Sequence, residues 1–130
     1  MKRYELTVED HFSSAHQLRG YMGRCENIHG HNWRVKLRVT GSRLDNIGLL
    51  VDFGILKNKL KEVLSRLDHV NLNDTPPFNS INPSSENIAE HICTEVQSAI
   101  SEEFHDVTVF SVTVWESQTS SCTFYPEIRP

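Results

Sequence analysis

Two stretches in the first third of the chain alternate between apolar and polar side chains, as half-buried β-strands do. The apolar positions of residues 3–16 are Tyr4, Leu6, Val8 and Phe12. His16 has the same parity, unless a β-bulge around Ser13-Ser14-Ala15 shifts it. The second stretch follows a polar loop over 17–28, and one of its faces carries His31, Trp33, Val35, Leu37 and Val39. Gly41-Ser42 ends it, and His29 shares the parity of His31, so both imidazoles are predicted to point to one side.

The middle of the chain changes to helical spacing. Asp52 is predicted to cap a first helix, whose apolar positions are Phe53, Leu56, Leu60, Val63, Leu64 and Leu67. A proline-containing loop over 68–83 leads to a second helix over about 84–102, capped by Asn82 or Ser84. Two final strands are predicted at about 106–116 and 120–126. The order β-β-α-α-β-β indicates an α+β fold, with an antiparallel sheet and both helices on one face.

Length and composition fit one soluble domain covering residues 1–130. The chain is 38% hydrophobic and 23% charged, and its net charge of -4 provides no strong field for nucleic acid or an anionic membrane. No apolar run approaches the ~18 residues of a membrane span. The three cysteines form an odd set, and the N-terminus MKRYELTVED lacks the apolar core of a signal peptide. We therefore expect a cytoplasmic protein with reduced thiols, and no nucleic-acid or membrane partner.

Three histidines form a candidate metal site. His29 and His31 flank Gly30, and a catalytic zinc usually takes three protein ligands and leaves the fourth position open. Because consecutive strands usually pair, His16 is expected beside the other two. The alternative is that these are ordinary histidines on an apolar strand face.

Cys25 lies close to this cluster in sequence, and two roles are open for it. As a fourth ligand it would close a structural zinc site. As a free thiol beside the metal it would be a base or a nucleophile, with its pKa lowered by the zinc and by Arg24.

Further polar residues have both a structural and a catalytic interpretation. Asp68 can orient His69 for proton transfer, or His69 can simply favour a helix C-terminus. Glu116 is either a solubilising residue near a strand end or an acceptor for two N–H groups of a heterocycle. Ser84 and Ser85 either cap the second helix or contact the same ring.

In order and spacing, six motifs of this chain resemble the 6-pyruvoyl-tetrahydropterin synthase / 6-carboxy-tetrahydropterin synthase family over nearly its whole length. The motifs are Phe12-Ser13-Ser14-Ala15-His16, Cys25-x-x-x-His29-Gly30-His31, Gly48-Leu49-Leu50-Val51-Asp52-Phe53, Leu67-Asp68-His69 with Leu72-Asn73-Asp74, Asn82-Pro83-Ser84-Ser85-Glu86-Asn87 and Trp115-Glu116-Ser117.

The resemblance implies a role for each candidate residue. Zn²⁺ would be bound by His16, His29 and His31. Cys25 would be the catalytic thiol, with Asp68 and His69 as its proton-relay partners. Glu116 would anchor the pterin ring, with Ser84 and Ser85 near it. The fold would be the tunnelling fold, whose subunits join edge to edge into a trimeric barrel and stack as a homohexamer with active sites between subunits.

The resemblance also implies a substrate, 7,8-dihydroneopterin triphosphate. The pyruvoyl branch stops at a diketone side chain, whereas the carboxy branch also releases acetaldehyde and leaves a 6-carboxylate. The short Cys25-x-x-x-His29 spacing and the chain length resemble the bacterial carboxy enzymes of queuosine synthesis, so we expect that branch. A pyruvoyl synthase and a non-catalytic zinc-binding module are the alternatives.

Two features bear on how the substrate would be bound. Arg24 is a candidate phosphate contact, and Arg34, Lys36 and Arg38 share a strand face that would either line the tunnel or be solvated. Many relatives have a basic or small residue where this chain has Trp115, so this bulky side chain is expected to alter ring stacking or substrate choice.

Overall fold

The protein forms one antiparallel sheet with two helices packed against it. A computed structural model describes residues 2–23 and 26–127. The strands and helices are β1 (Tyr4–His16), β2 (His29–Gly41), α1 (Phe53–Ser65), α2 (Ser85–Ser101), β3 (Thr108–Ser117) and β4 (Ser120–Phe124). The strand order is β1-β2-β3-β4, and all three pairings are antiparallel. The predicted element order and α+β class are therefore confirmed.

The long β1–β2 pairing brings the histidines together. It continues without a register shift from Tyr4 opposite Gly41 to His16 opposite His29. The bulge considered around Ser13-Ser14-Ala15 is therefore absent, and His16 keeps the parity of the buried residues. Residues directly opposite each other in such a pair lie on the same face of the sheet. The register alone thus places the imidazoles of His16 and His29 side by side.

The helices cover the apolar face of this sheet. α1 packs against β1, and α2 packs against β3 and β4. Asp52 caps α1 by accepting from the amides of Gly54 and Ile55, while Ser84 accepts from the Asn87 amide and caps α2. The largest fully buried side chains are Trp33, Phe12, Phe78, Leu37, Leu56, Leu60, Leu67, Leu72, Ile88, Ile92, Ile100 and His16. His16 therefore lies within the hydrophobic core, where an unpaired polar ring would be costly.

The opposite face of the sheet is polar and internally paired. Arg34 forms an ion pair with Glu9 at 2.8 Å, and Arg38 forms one with Glu5. These two arginines were predicted either to line a tunnel or to be solvated, and each already has a carboxylate partner. Exposed pairs of this kind contribute about 0–1 kcal/mol each, so they fix side-chain positions more than they stabilise the fold.

The segment between the helices contains more regular structure than a loop. A short 3-10 helix spans Leu72–Asp74. Before it, the chain lies along the free edge of β1, where the His69 amide donates to the Ser13 carbonyl at 2.6 Å and the Ala15 amide donates to the Val70 carbonyl at 3.2 Å. The last part of this edge is therefore covered, and Asp68 and His69 are held beside β1.

Two asparagine side chains hold the chain that leaves β1. The Asn73 side chain accepts from the Gln17 amide and donates to its carbonyl, and the Asn82 side chain does the same for Arg19. Both asparagines belong to motifs that carried the family resemblance; Asn82 was a candidate cap of α2, but Ser84 is the cap and the Asn82 side chain bonds Arg19 instead. The two asparagines fix the direction in which the chain departs from His16. Within the described ranges, neither helix is long and apolar enough to cross a membrane.

Candidate active site

Three imidazoles from β1 and β2 converge at one end of the sheet. The candidate ligand nitrogens of His16, His29 and His31 all lie within 4.8 Å of one another. His16 and His29 are direct cross-strand neighbours, and His31 lies opposite Ser14 on the same face. The alternative of ordinary, unconnected strand histidines does not describe this arrangement. The cluster is one that a metal ion could occupy.

Hydrogen bonds at the far side of two rings fix their tautomers. The Nδ1–H of His16 donates to the Pro83 carbonyl at 2.7 Å, and that of His29 donates to the Asn27 carbonyl at 2.8 Å. In the neutral rings both Nε2 atoms then carry lone pairs, and they face each other at 3.1 Å. Two facing lone pairs repel unless a cation lies between them. Metal-bound histidines make this same bond to a carbonyl, so the cluster fits a divalent metal.

His31 completes the set with a nitrogen that lacks a partner. Its Nε2 is buried and has no hydrogen-bond partner among the described residues. Burial lowers the pKa of His31, and Glu116 and Glu26 oppose that shift. The ring is therefore neutral near pH 7 and available as a ligand. Trp33 is fully buried and packs edge-on against His16 and His31. Its ring centroid lies 4.9 Å from that of His16 and 5.2 Å from that of His31, so it supports both rings from the core.

Glu116 reaches the cluster from β3 through a β-bulge. Its neighbours Trp115 and Ser117 pair with Ser121 and Ser120, so Glu116 is the extra residue. Bulges re-aim side chains beside active sites. Here one carboxylate oxygen lies 3.7 Å from Nε2 of His16 and the other 3.6 Å from Nε2 of His31. Glu116 thus reaches the histidines within a single chain.

Trp115 lies on the other side of the sheet from Glu116. Its indole lies under the guanidinium of Arg34, 4.1 Å from the ring centroid, in a cation–π contact. The expectation that its bulk would alter ring stacking at the site has no support in this arrangement. Trp115 therefore lies on the polar face of the sheet and does not contact the histidine cluster.

Glu26 is a second acidic neighbour, which sequence reasoning missed. Its Oε1 lies 3.9 Å from Nε2 of His29 and accepts from the Leu18 amide at 3.1 Å. Nothing in the local pattern singles it out, because its position depends on the hydrogen bonds between Glu26 and Leu18. Glu26 and Glu116 together add two negative charges around three neutral rings, which favours a divalent cation.

Asp68 and His69 form a directly bonded pair. Nδ1 of His69 lies 2.9 Å from Oδ2 of Asp68, and the other Asp68 oxygen accepts from the Ser13 amide. α1 ends at Ser65, so His69 lies beyond its last turn, and the macrodipole explanation does not apply. The backbone of His69 has φ of 57°, a left-handed conformation that is uncommon for residues other than glycine. That turn is what brings two adjacent side chains together.

Asp68 stays charged over the working pH range. The Ser13 amide, and then His69, hold the pKa of Asp68 below its ordinary value of 3.8. Because the pKa of Asp68 is lower in the folded protein than in the unfolded chain, its carboxylate keeps both bonds at any pH above the ordinary pKa. They are lost only as the pH falls through the still lower folded value. The carboxylate is therefore ionised and able to orient the imidazole at neutral pH.

A cavity of about 440 Å³ lies beside His69 along the ends of β1 and β2, and His31 is the member of the histidine cluster that contributes to its lining. It is lined by Ser13, Ser14, Ala15, Gly30, His31, Asn32, His69, Val70 and Asn71. The His69 side chain is 81% exposed, so it is open to a ligand in this cavity or to a neighbouring subunit. A small molecule in this cavity would therefore contact His69 and the backbone ends of β1 and β2 next to the histidine cluster.

The remaining predicted site residues fall into two groups. Ser84 caps α2, which satisfies its structural interpretation, and Ser85 is the first residue of that helix. Both follow Pro83, whose carbonyl holds His16. Arg24 and Cys25 lie outside the described residues, so their roles stay predictions.

The other two cysteines are poorly suited to act as nucleophiles. Burial, and then Glu90, raise the pKa of Cys93 to about 11, and burial also raises the pKa of Cys122. At pH 8 a thiol with that pKa is thiolate in about one molecule per thousand. We expect iodoacetamide to label Cys25 first in the native protein, with a parallel loss of activity.

Peptide mass spectrometry over time measures this order, and labelling in denaturant provides the reference in which all three thiols react. Faster native labelling of Cys93 than of Cys25 would contradict it.

Three imidazoles with converging lone pairs, and a directly bonded Asp68–His69 pair beside β1, form a candidate active site that could hold a metal ion on an α+β fold. The family model for 6-pyruvoyl tetrahydropterin synthase matches residues 5–127. The chain belongs to that family. It is therefore a lyase of the tetrahydropterin synthase type, and its fold is the tunnelling fold.

Individual relatives agree with this assignment. The 6-carboxy-5,6,7,8-tetrahydropterin synthase of Bacillus subtilis is 35% identical over 129 residues, covering 95% of this chain and 86% of the relative. The 6-pyruvoyl tetrahydrobiopterin synthase of Dictyostelium discoideum is 31% identical, covering 80% and 86%. The Caenorhabditis elegans 6-pyruvoyl tetrahydropterin synthase structure superposes with a TM-score of 0.82 at 26% identity and covers 98% of each chain. Similarity thus extends to both branches of the family.

Proposed function

We propose that this protein is a zinc-dependent 6-carboxy-5,6,7,8-tetrahydropterin synthase. It would convert 7,8-dihydroneopterin triphosphate and one water to 6-carboxytetrahydropterin, acetaldehyde and triphosphate. The observation that carries the proposal is the convergence of two lone-pair-bearing Nε2 atoms and a third, unpartnered one. The choice of branch is supported by the relatives from Bacillus subtilis and Synechocystis, which carry the carboxy name at 35% and 34% identity.

His16, His29 and His31 would hold the zinc. When bound, it would supply a Lewis acid that polarises the side-chain hydroxyls of the substrate and makes the adjacent C–H more acidic. Imidazole is a preferred zinc ligand, and three protein ligands are typical of a catalytic zinc. The carbonyl partners of His16 and His29 would keep both rings in the ligand tautomer.

The protein groups around the cluster would move the protons. Cys25, as thiolate, would remove the proton from the first side-chain carbon. Asp68 would hold His69 in the orientation from which it returns a proton to the side chain or ring. General acid–base groups of this kind contribute about 10²–10⁴-fold in rate. The 2.9 Å bond between Asp68 and His69 supports this division of roles.

Other residues would bind the substrate without exchanging protons. Glu116 would accept two N–H bonds from the pterin ring, and Ser84 and Ser85 would lie near it. Arg24 is the proposed phosphate contact. Arg34 and Arg38 are weaker candidates for phosphate, because each is already paired with a glutamate.

We propose a homohexamer of two stacked trimeric barrels, in which active sites lie between subunits. β1 and β4 are the edge strands of the sheet, and closing a barrel removes such edges. The exposed side chain of His69, next to the β1 edge, would then act in or beside a neighbouring subunit's site. A cytoplasmic location and a place in queuosine synthesis complete the proposal.

Product analysis tests the choice of branch. With 7,8-dihydroneopterin triphosphate, the zinc-loaded enzyme is expected to release one acetaldehyde per pterin consumed, because the carboxy reaction breaks the side-chain carbon–carbon bond. Acetaldehyde is trapped and measured by chromatography beside the pterin product.

A diketone pterin without acetaldehyde would instead establish the pyruvoyl branch, which the Dictyostelium and Caenorhabditis similarities favour. If the zinc-loaded protein consumed no substrate, the result would favour a non-catalytic zinc-binding module.

A further inference from the structure

Glu116 lies closer to the histidines than a residue that only holds the pterin ring needs to lie. Its carboxylate straddles two of the three rings, at 3.7 Å from His16 and 3.6 Å from His31. Both distances exceed hydrogen-bond length, so the oxygens face the two nitrogens without bonding to them. The space they enclose is bounded by lone pairs and negative charge.

These separations match those between the ligands of one zinc ion. For bonds of about 2.0–2.1 Å in a tetrahedral site, neighbouring ligand atoms lie about 3.3–3.4 Å apart. The His16–His29 separation is 3.1 Å, and the two Glu116 separations differ from the tetrahedral value by only a few tenths of an ångström. Small side-chain rotations would bring a Glu116 oxygen into the fourth position.

The same geometry conflicts with a fixed role as ring anchor. The amidine edge of a pterin lies at the opposite end of the bicycle from the carbon that bears the side chain. If that edge bonded to Glu116 where the carboxylate now lies, the ring would extend away from the histidines and take the reacting side chain with it. Glu116 must therefore move before it can hold the ring of a substrate whose side chain lies at the metal.

The bulge leaves this side chain free to move. Glu116 has no cross-strand partner, it is 37% exposed, and no hydrogen bond among the described residues holds its carboxylate. Glu26 is more firmly held, because its carboxylate accepts a hydrogen bond from the Leu18 amide. Of the three histidines, Glu26 approaches only His29. Of these two neighbouring acids, only Glu116 is placed to bind the metal and then leave it.

We propose that Glu116 is a displaceable fourth metal ligand. In the resting enzyme its carboxylate would complete the coordination begun by His16, His29 and His31. On arrival of substrate, the side-chain hydroxyls would take that position, and the released carboxylate would turn to the pterin ring. This inference rests on the proposed function, and it adds that one residue alternates between the metal and the substrate.

Cobalt(II) in place of zinc makes the coordination visible, because its absorption spectrum depends on the number and type of ligands. Wild type and Cys25→Ala are expected to share one resting spectrum. Glu116→Gln is expected to give a different one and to bind zinc about 10–100-fold more weakly in chelator competition, the range seen when groups that support a metal site are removed. Glu26→Gln is the matched control and should keep the wild-type cobalt spectrum.

A second measurement follows the displacement. Neopterin, which has the ring and side-chain hydroxyls but no triphosphate, should change the spectrum of wild type. Zinc X-ray absorption of the wild-type resting enzyme should count four nitrogen or oxygen ligands without sulfur, and this does not depend on any variant folding.

The inference is overturned if Glu116→Gln leaves the spectrum and zinc affinity unchanged. It is equally overturned if a sulfur-to-cobalt band in the wild type disappears in Cys25→Ala, since the thiol would then be the fourth ligand. Both outcomes are independent of acetaldehyde formation, so failure of this inference and failure of the proposed function are distinguishable.

Discussion

His29→Ala is expected to lose bound zinc and turnover together. His29 supplies one of the two Nε2 atoms that face each other at 3.1 Å, and its position opposite His16 cannot be filled by another ligand of β2. Loss of one of three imidazoles should weaken zinc binding by at least about 100-fold, beyond the range for supporting residues. Zinc content by mass spectrometry and acetaldehyde release measure the two effects on the same preparation.

His105→Ala is the matched control, since His105 is exposed and lies outside the cluster. It should keep both properties. If His29→Ala kept stoichiometric zinc at wild-type affinity, these three histidines would not be the metal site.

Cys25→Ala is expected to have the opposite combination, with zinc retained and turnover reduced by about 10²–10⁴-fold. The thiolate is the proposed base, whereas the histidine cluster with Glu116 forms a ligand set that does not need sulfur. The measurements are the rate of substrate loss under saturating zinc, and the zinc affinity by chelator competition.

Cys122→Ala controls for the loss of a thiol as such, because burial raises the pKa of Cys122 and weakens it as a nucleophile. Loss of zinc from Cys25→Ala would indicate a closed structural centre. That result would return Cys25 to the ligand interpretation which the sequence left open.

Much of the site was predictable because a strand repeats every two residues. His16, His29 and His31 lie on the parity of Phe12 and Trp33, and the observed pairing keeps that parity throughout. The helix caps Asp52 and Ser84 were predictable for a similar reason, since a side-chain acceptor meets orphan amides within three residues.

The rest depends on contacts that local sequence does not encode. The bulge at Glu116 exists only relative to β4, so the sequence of β3 alone cannot show that the carboxylate turns to the histidines. Residues 68–71 lie along β1, more than fifty positions away, and the Asp68–His69 pair forms through a left-handed turn that no glycine marks. Glu26 lies beside His29 only because the Leu18 amide holds its carboxylate there, a contact that the sequence pattern does not reveal.

The register between β1 and β2 has a thermodynamic consequence. A slip of one residue would send His16 to the opposite face from its partner and would dismantle the ligand set. An ion bound by both strands therefore selects the correctly aligned hairpin over every shifted one. Free metal at a hundred times its dissociation constant would add about 2.7 kcal/mol to the stability of that alignment. A bound metal would thus stabilise the native strand register in addition to its role in catalysis.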